Sequence, residues 1–218
     1  PGSVSRGGKN GVKLSEWTVE NFQKSDALIF IGAVGIAVRA IAPHCKSKAT
    51  DPAVIVLDER GRFSIPILSG HLGGANDLAK KLASICGAVP VITTATDVEG
   101  VFAVDEWAKA QNCHVFEPER IKTVSSTLLA GKAVYYDSQW KITGTQPENV
   151  FPADENRQAD FSVTLHPQSD ALHLIPKICV LGVGCKRGTS AEHIEATFKQ
   201  FCKETGFAPL SICACASI

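Results

Sequence analysis

The sequence predicts an α/β protein, and three observations carry that prediction. Continuous apolar runs of strand length recur at Ala27–Ile31 and Ala53–Leu57, and Phe63–Leu68 reads as another strand. Segments with helical spacing lie between and after them, the clearest over 73–86. Glycine-rich turns separate the two kinds of segment. Strand alternating with helix implies a parallel or mixed, Rossmann-like sheet with helices packed on it.

Residues 1–11 are polar and glycine-rich and read as a loop. The run at 27–31 meets Gly32 and Gly35, after which Ile36, Val38, Ala40 and Ile41 suggest a short buried helix ending near Pro43. The run at 53–57 is followed by a turn over 58–61. Pro66 lacks the N–H of a ladder and places the strand at 63–68 at an edge or a bend. In the helix over 73–86, Leu78, Leu82 and Ile85 share one face while Lys80 and Lys81 point away; Gly87 sits where a C-terminal cap would. A strand follows over 90–94, with Asp97 as the cap of a helix running through Val104, Trp107 and Ala108.

Farther on, 118–129 reads as helix and 133–136 as strand. The stretch 146–160 is polar and carries Pro147 and Pro152, so it reads as a linker or long loop. A second α/β unit opens at 178–181, passes a glycine loop at 182–188 and enters a helix at Ser190. That helix runs through Ile194, Phe198 and Phe201, and a strand over 210–218 follows. The expected organisation is an N-terminal α/β domain over 1–115, an irregular middle or linker region over 116–175, and a smaller α/β domain over 176–218. A lone strand–helix–strand cannot bury its own faces, so the last domain reads as truncated or as leaning on the first.

Composition limits the function classes. The chain has 218 residues, 44% hydrophobic and 20% charged, which suits one large or two modest globular domains. Lys plus Arg and Asp plus Glu are both 22, so the net charge is zero and nothing favours nucleic acid. The longest apolar stretch, 27–38, carries two glycines and falls short of the ~20 residues that span a bilayer. No signal peptide is visible, and a cytoplasmic protein is expected. Eight cysteines without a C-x-x-C pair read as reduced, buried thiols, with no metal site. The chain has no methionine, which suggests that neighbours in this numbering are not all neighbours in the full protein.

Chemistry concentrates in Ser69-Gly70-His71-Leu72-Gly73-Gly74-Ala75-Asn76-Asp77. Small residues around a histidine, between a strand and a helix, make a concave site at a strand's carboxyl end. Free backbone N–H groups at the helix start would suit a carboxylate or developing oxyanion, and a histidine such as His71 can shuttle a proton there. The bland alternative is that Ser69 caps the helix and His71 packs in a turn. Thr93-Thr94-Ala95-Thr96-Asp97 brings hydroxyls and a carboxylate to a second strand end, although Thr is also an ordinary strand residue. Gly32-x-x-Gly35 forms a third, with Arg39 placed to clamp a carboxylate or to pair with a surface acid. Asp51-Pro52 reads as a turn. The loop Gly182-Val183-Gly184-Cys185-Lys186-Arg187-Gly188 opens a helix and suits an anion through Lys186 and Arg187. Its last glycine is one place late for a dinucleotide fingerprint, and no ribose-binding acid follows.

Taken together, residues 28–39, 48–54, 68–76 and 91–97 resemble the N-terminal domain of the CbiG family of cobalamin biosynthesis. Residues 179–191 look like the start of its C-terminal domain, which is similar to the CobE family. The resemblance covers most of 27–140 and 178–218 and implies that the family's first strand and helix precede Pro1. It also implies the family's reaction: opening of the ring A δ-lactone of cobalt-precorrin-5A, with loss of acetaldehyde, to give cobalt-precorrin-5B. The implied partner is a cobalt-corrinoid tetrapyrrole; no cofactor is needed, because the cobalt belongs to the substrate. A homodimer is compatible with the sequence. On this basis His71 would be the general base, with Asn76 and the Gly73 and Gly74 amides holding the oxyanion. Asp97 would share the catalytic crevice, and Arg39, Ser69, Gly70, Thr94, Thr96, Lys186 and Arg187 would bind substrate. A non-catalytic tetrapyrrole carrier and a nucleotide-dependent enzyme are the alternatives.

Overall fold

The computed structural model describes residues 12–48, 50–142 and 144–217, so the loop predicted at 1–11 lies outside the described residues. Its contacts separate two compact units that divide between Val98 and Glu99. That partition differs from the expected divisions at 115 and 175.

The first unit contains α1 (Leu14–Phe22), β1 (Ala27–Ile31), α2 (Val34–Ile41), β2 (Ala53–Leu57), β3 (Phe63–Leu68), α3 (Ala75–Cys86), β4 (Val89–Pro90) and all but the last residue of α4 (Ala95–Glu99). Its sheet runs β1-β2-β3-β4. β1 and β2 are parallel, from Ala27 opposite Ala53 to Ile31 opposite Leu57. β3 is antiparallel to β2, with Val54 opposite Leu68 and Leu57 opposite Ser64. Asp58 closes the reversal by accepting the backbone N–H groups of Arg62 and Phe63. β4 then pairs parallel to β3 at Phe63 and Ser64 only. The Pro66 half of β3 therefore has no partner on its β4 side, consistent with the missing N–H.

β2 is the centre of the unit, and all five of its residues are buried. Alternation sends Val54 and Val56 to one face, with Phe22, Leu28, Phe30, Ala37 and Ile41, and Ala53 and Ile55 to the other, with Ala75 and Ala79. Helices α1 and α2 thus cover one face and α3 the other. The short helix α2 is only half buried: Ala37 and Ile41 face the core while Ile36 and Val38 are exposed.

The reversal at β3 decides what the sheet can bring together. The carboxyl end of β3 lies beside the start of β2, while the carboxyl ends of β1 and β2 lie at the other end of the sheet. The loops after β3 and β4 share one end, and the Gly32–Gly35 loop after β1 sits at the opposite end. Three converging strand ends, as a parallel sheet would give, are not present.

The second unit contains α5 (Val104–Ala110), β5 (Cys113–Phe116), α6 (Ile121–Leu129), β6 (Val134–Ser138), β7 (Val150–Pro152), β8 (Phe161–Val163), β9 (Leu172–Pro176), β10 (Cys179–Val183), α7 (Ala191–Thr205) and β11 (Ile212–Ser217). A five-stranded sheet has the order β5-β9-β8-β6-β7 and is parallel except for the β5–β9 pair. The middle predicted as irregular supplies four of these strands. β7 and β8 have three residues each, too few to register as an alternating pattern. Phe161 is 1% exposed and packs against Phe102, Trp107 and Tyr136 at ring-centroid distances of 5.7–6.1 Å.

β10 and β11 form a separate parallel pair joined through α7. Ser190 caps α7, its hydroxyl accepting the His193 N–H at 3.3 Å as predicted. None of the 15 residues of α7 is buried. No helix among the described residues is long and apolar enough to cross a membrane. All eight cysteines are free thiols, but five are exposed and three half-buried, so the prediction of buried thiols fails.

Candidate functional site

The site is built on the loop from Ser69 to Gly74, which turns β3 into α3. Ser69 takes a left-handed backbone (φ 56°) and donates its hydroxyl to the Asp51 carbonyl at 2.9 Å. Asp51 in turn accepts the Lys46 and Ser47 amides, which supports its reading as a turn residue. The loop then folds back on itself. A side chain on Gly73 would press on Ser69, meeting its carbonyl oxygen at 2.8 Å, and Gly74 is left-handed (φ 79°). These two positions need glycine for close approach and for conformation respectively.

The same compactness uses up the backbone donors. Gly74 N–H donates to the His71 carbonyl, Ala75 N–H to Ser69 and Asn76 N–H to Gly70, at 2.9–3.1 Å. The Gly74 amide, predicted as an oxyanion donor, is therefore engaged inside the loop. Ser69, predicted to touch substrate, is buried and serves as an anchor instead.

What the loop presents is His71. Its Nε2 lies 2.8 Å from Asp97 Oδ2, with the two side chains 10% and 16% exposed. Asn76, 1% exposed in the first turn of α3, donates its amide to both Thr94 Oγ1 and Asp97 Oδ2 at 3.0 Å. Lys80 Nζ stands 3.4 Å from Asp97 Oδ1. Burial alone would raise the Asp97 pKa; the hydrogen bond and charge of His71, with the charge of Lys80, outweigh it and hold the carboxyl below its ordinary range.

Asp97 sits in the first turn of α4 and does not cap a long helix. That helix is two pieces, broken after Glu99 at Gly100 in a left-handed conformation (φ 65°). The residues 91–94, predicted as strand, are mostly a loop following the two-residue β4. This loop carries Thr94 to Asn76. Thr96 is 6% exposed, and its hydroxyl has no hydrogen-bond partner among the described residues.

Of the predicted residues, His71, Asn76, Thr94 and Asp97 form one hydrogen-bonded cluster, framed by Gly70, Gly73 and Gly74. Lys80, predicted to point away, belongs to that cluster. Its signal was the i,i+4 spacing from Asn76, which puts both on one side of α3. Arg39 is exposed in the last turn of α2, on the sheet face opposite α3, and makes no described contact with the cluster. Lys186 and Arg187 are exposed in the β10–α7 loop of the second unit.

A carboxylate fixing an imidazole, with an amide and an ammonium holding that carboxylate, is an arrangement for moving protons. Two family models match this chain: cobalamin synthesis G N-terminal over residues 16–97, and cobalamin synthesis G C-terminus over residues 179–218. The chain belongs to the cobalamin synthesis G family. It is 41% identical over 183 residues to a protein of Salmonella typhimurium named cobalt-precorrin-5A hydrolase, covering 77% of this chain and 52% of that one. A protein of the same name from Priestia megaterium is 33% identical over 219 residues, covering 90% of this chain and 58% of that one. The chain thus spans about half the length of the curated relatives it matches. A solved structure of a cobalamin biosynthesis protein G homolog from Sulfolobus solfataricus is similar at 24% identity and TM-score 0.45, over 90% of this chain and 60% of that one. The N-terminal family match contains the whole His71–Asn76–Asp97 cluster.

Proposed function

We propose that the chain acts as a cobalt-precorrin-5A hydrolase, opening the ring A δ-lactone and releasing acetaldehyde to give cobalt-precorrin-5B. The observation that carries this reading is the half-buried His71–Asp97 pair, lying in a segment similar to relatives that bear that name. In the proposed chemistry His71 takes a proton from the attacking water. Asp97 orients the ring and stabilises the imidazolium that results. Asn76 and Lys80 keep Asp97 ionised and in place. Asn76 therefore acts through Asp97, in place of the oxyanion role predicted from sequence. The Gly73 amide is left as the oxyanion donor of the loop.

The substrate brings its own cobalt and many carboxylates, and the scheme uses no further cofactor and no nucleic acid. Arg39, Lys186 and Arg187 are exposed cations suited to those carboxylates. A cytoplasmic setting suits eight free thiols. The test is to incubate the full-length protein anaerobically with cobalt-precorrin-5A and assay acetaldehyde. Release without added nucleotide supports the hydrolase. Bound pigment without acetaldehyde would replace it with a carrier, and the absence of both binding and release would reopen the nucleotide reading.

A further inference from the structure

The second unit holds a cavity of about 850 Å3 that the corrinoid reading does not use. Ser162, Thr164, His166, Ser169 and His173 line it. His173, on β9, is 2% exposed, and its Nε2 lies 3.1 Å from the hydroxyl of Ser169. The backbone N–H of Ser169 also points at that nitrogen, at 3.4 Å. An amide N–H can only donate, so Nε2 carries the lone pair and Nδ1 carries the proton. Nδ1 faces Glu117 Oε2 at 3.7 Å, too long for a hydrogen bond, and has no other partner among the described residues. Glu117 is held left-handed (φ 59°), a conformation uncommon for a side-chain-bearing residue, and Arg120 Nε fixes its carboxylate at 3.1 Å. Burial lowers the His173 pKa from its ordinary value, with Glu117 raising and Arg120 lowering it in turn, so the ring is neutral at neutral pH.

We propose that Ser169 and His173 form an acyl-transfer site in this cavity, positioned by Glu117 and taking small esters or lactones. A hydroxyl, an imidazole of the right tautomer and a carboxylate behind it meet the requirements of a serine nucleophile. The Ser169 oxygen bonds to the acyl carbon while its proton passes to His173 Nε2. The ester C–O bond breaks, and the departing alkoxide takes that proton. Water, deprotonated by the same nitrogen, then releases the carboxylic acid and restores the serine hydroxyl. The proton gained by His173 in the first step draws Glu117 into an ion pair, which is why a long contact in the resting state suffices.

The proposal rests on no residue of the first unit, so it stands or falls apart from the corrinoid reading. It is tested by treating the full-length protein with a fluorophosphonate probe, which bonds to an activated serine oxygen with loss of fluoride, and locating the adduct by peptide mass spectrometry. One adduct per chain on Ser169 is expected, absent in Ser169→Ala and formed at least ~100-fold more slowly in His173→Gln. Hydrolysis of p-nitrophenyl acetate should likewise be lost in Ser169→Ala. Ser169 is exposed, so alanine there leaves the fold unthreatened. No adduct, an adduct elsewhere, or ester hydrolysis unchanged in Ser169→Ala would overturn the proposal. The charges facing His173 are Glu117 and Arg120, with Asp170 beyond Arg120. Glu117→Gln should therefore move the midpoint of the pH–rate profile downward; a slower rate with an unmoved midpoint removes Glu117 from the relay.

Discussion

His71 Nε2 lies 2.8 Å from Asp97 Oδ2 although 26 residues separate them in the chain. The contact joins the loop after β3 to the first turn of α4. It exists because β3 and β4 run the same way, and the charge-assisted bond is shielded on both sides.

Replacing His71 with Ala should therefore cost acetaldehyde release about 100- to 10,000-fold in the full-length protein, while pigment still binds and the fold survives. Turnover close to that of the parent protein would remove His71 from the chemistry.

Gly73→Ala should destabilise by about 1–3 kcal/mol and lower turnover together, because its methyl group would press on the Ser69 backbone. Urea denaturation gives the first quantity. An unchanged midpoint would mean that the loop relaxes freely.

Acid should weaken the contribution of Asp97. Its folded pKa is depressed, since the hydrogen bond and charge of His71 and the charge of Lys80 overcome the opposing effect of burial. The unfolded chain then binds the proton at higher pH, so stability rises with pH between the two values. The contribution is complete above the unfolded value of about 3.9 and is lost as pH falls through the folded one. The stability gap between the parent protein and Asp97→Asn should narrow on acidification; a gap independent of pH would contradict the assignment.

Phe161→Ala should cost about 3–5 kcal/mol, because it empties the centre of the ring cluster formed with Phe102, Trp107 and Tyr136. Calorimetry should show this loss, and a change below about 1 kcal/mol would mean that those rings close over the gap.

How legible all this is from sequence depends on pattern length. β1 and β2 announce themselves because five apolar residues in a row have few other uses, and β3 does so with a single serine in its apolar run. β7 and β8 do not, because three residues cannot show a period. The direction of β3 was also hidden: a five-residue turn closed by Asp58 reverses the chain, and nothing in the apolar runs themselves encodes it. That reversal separates the Gly32–Gly35 loop from the His71 loop, which sequence reasoning grouped. His71, Asn76 and Asp97 were grouped through the family resemblance, because on spacing alone a helix cap and a turn explained them as well. Lys80 was not, because a lysine opposite an apolar stripe normally meets only water.

No residue of α7 is fully buried, and Ile194, Phe198 and Cys202 are half-buried. With so little apolar side chain covered, the helix leans on its own hydrogen bonds, its Ser190 cap and the Gln200–Glu204 and Glu195–Lys199 contacts. Its opening free energy is then local and small against that of β9, whose five residues are all buried. In amide hydrogen exchange the two would behave as separate cooperative blocks, with α7 losing protection long before the sheet that precedes it.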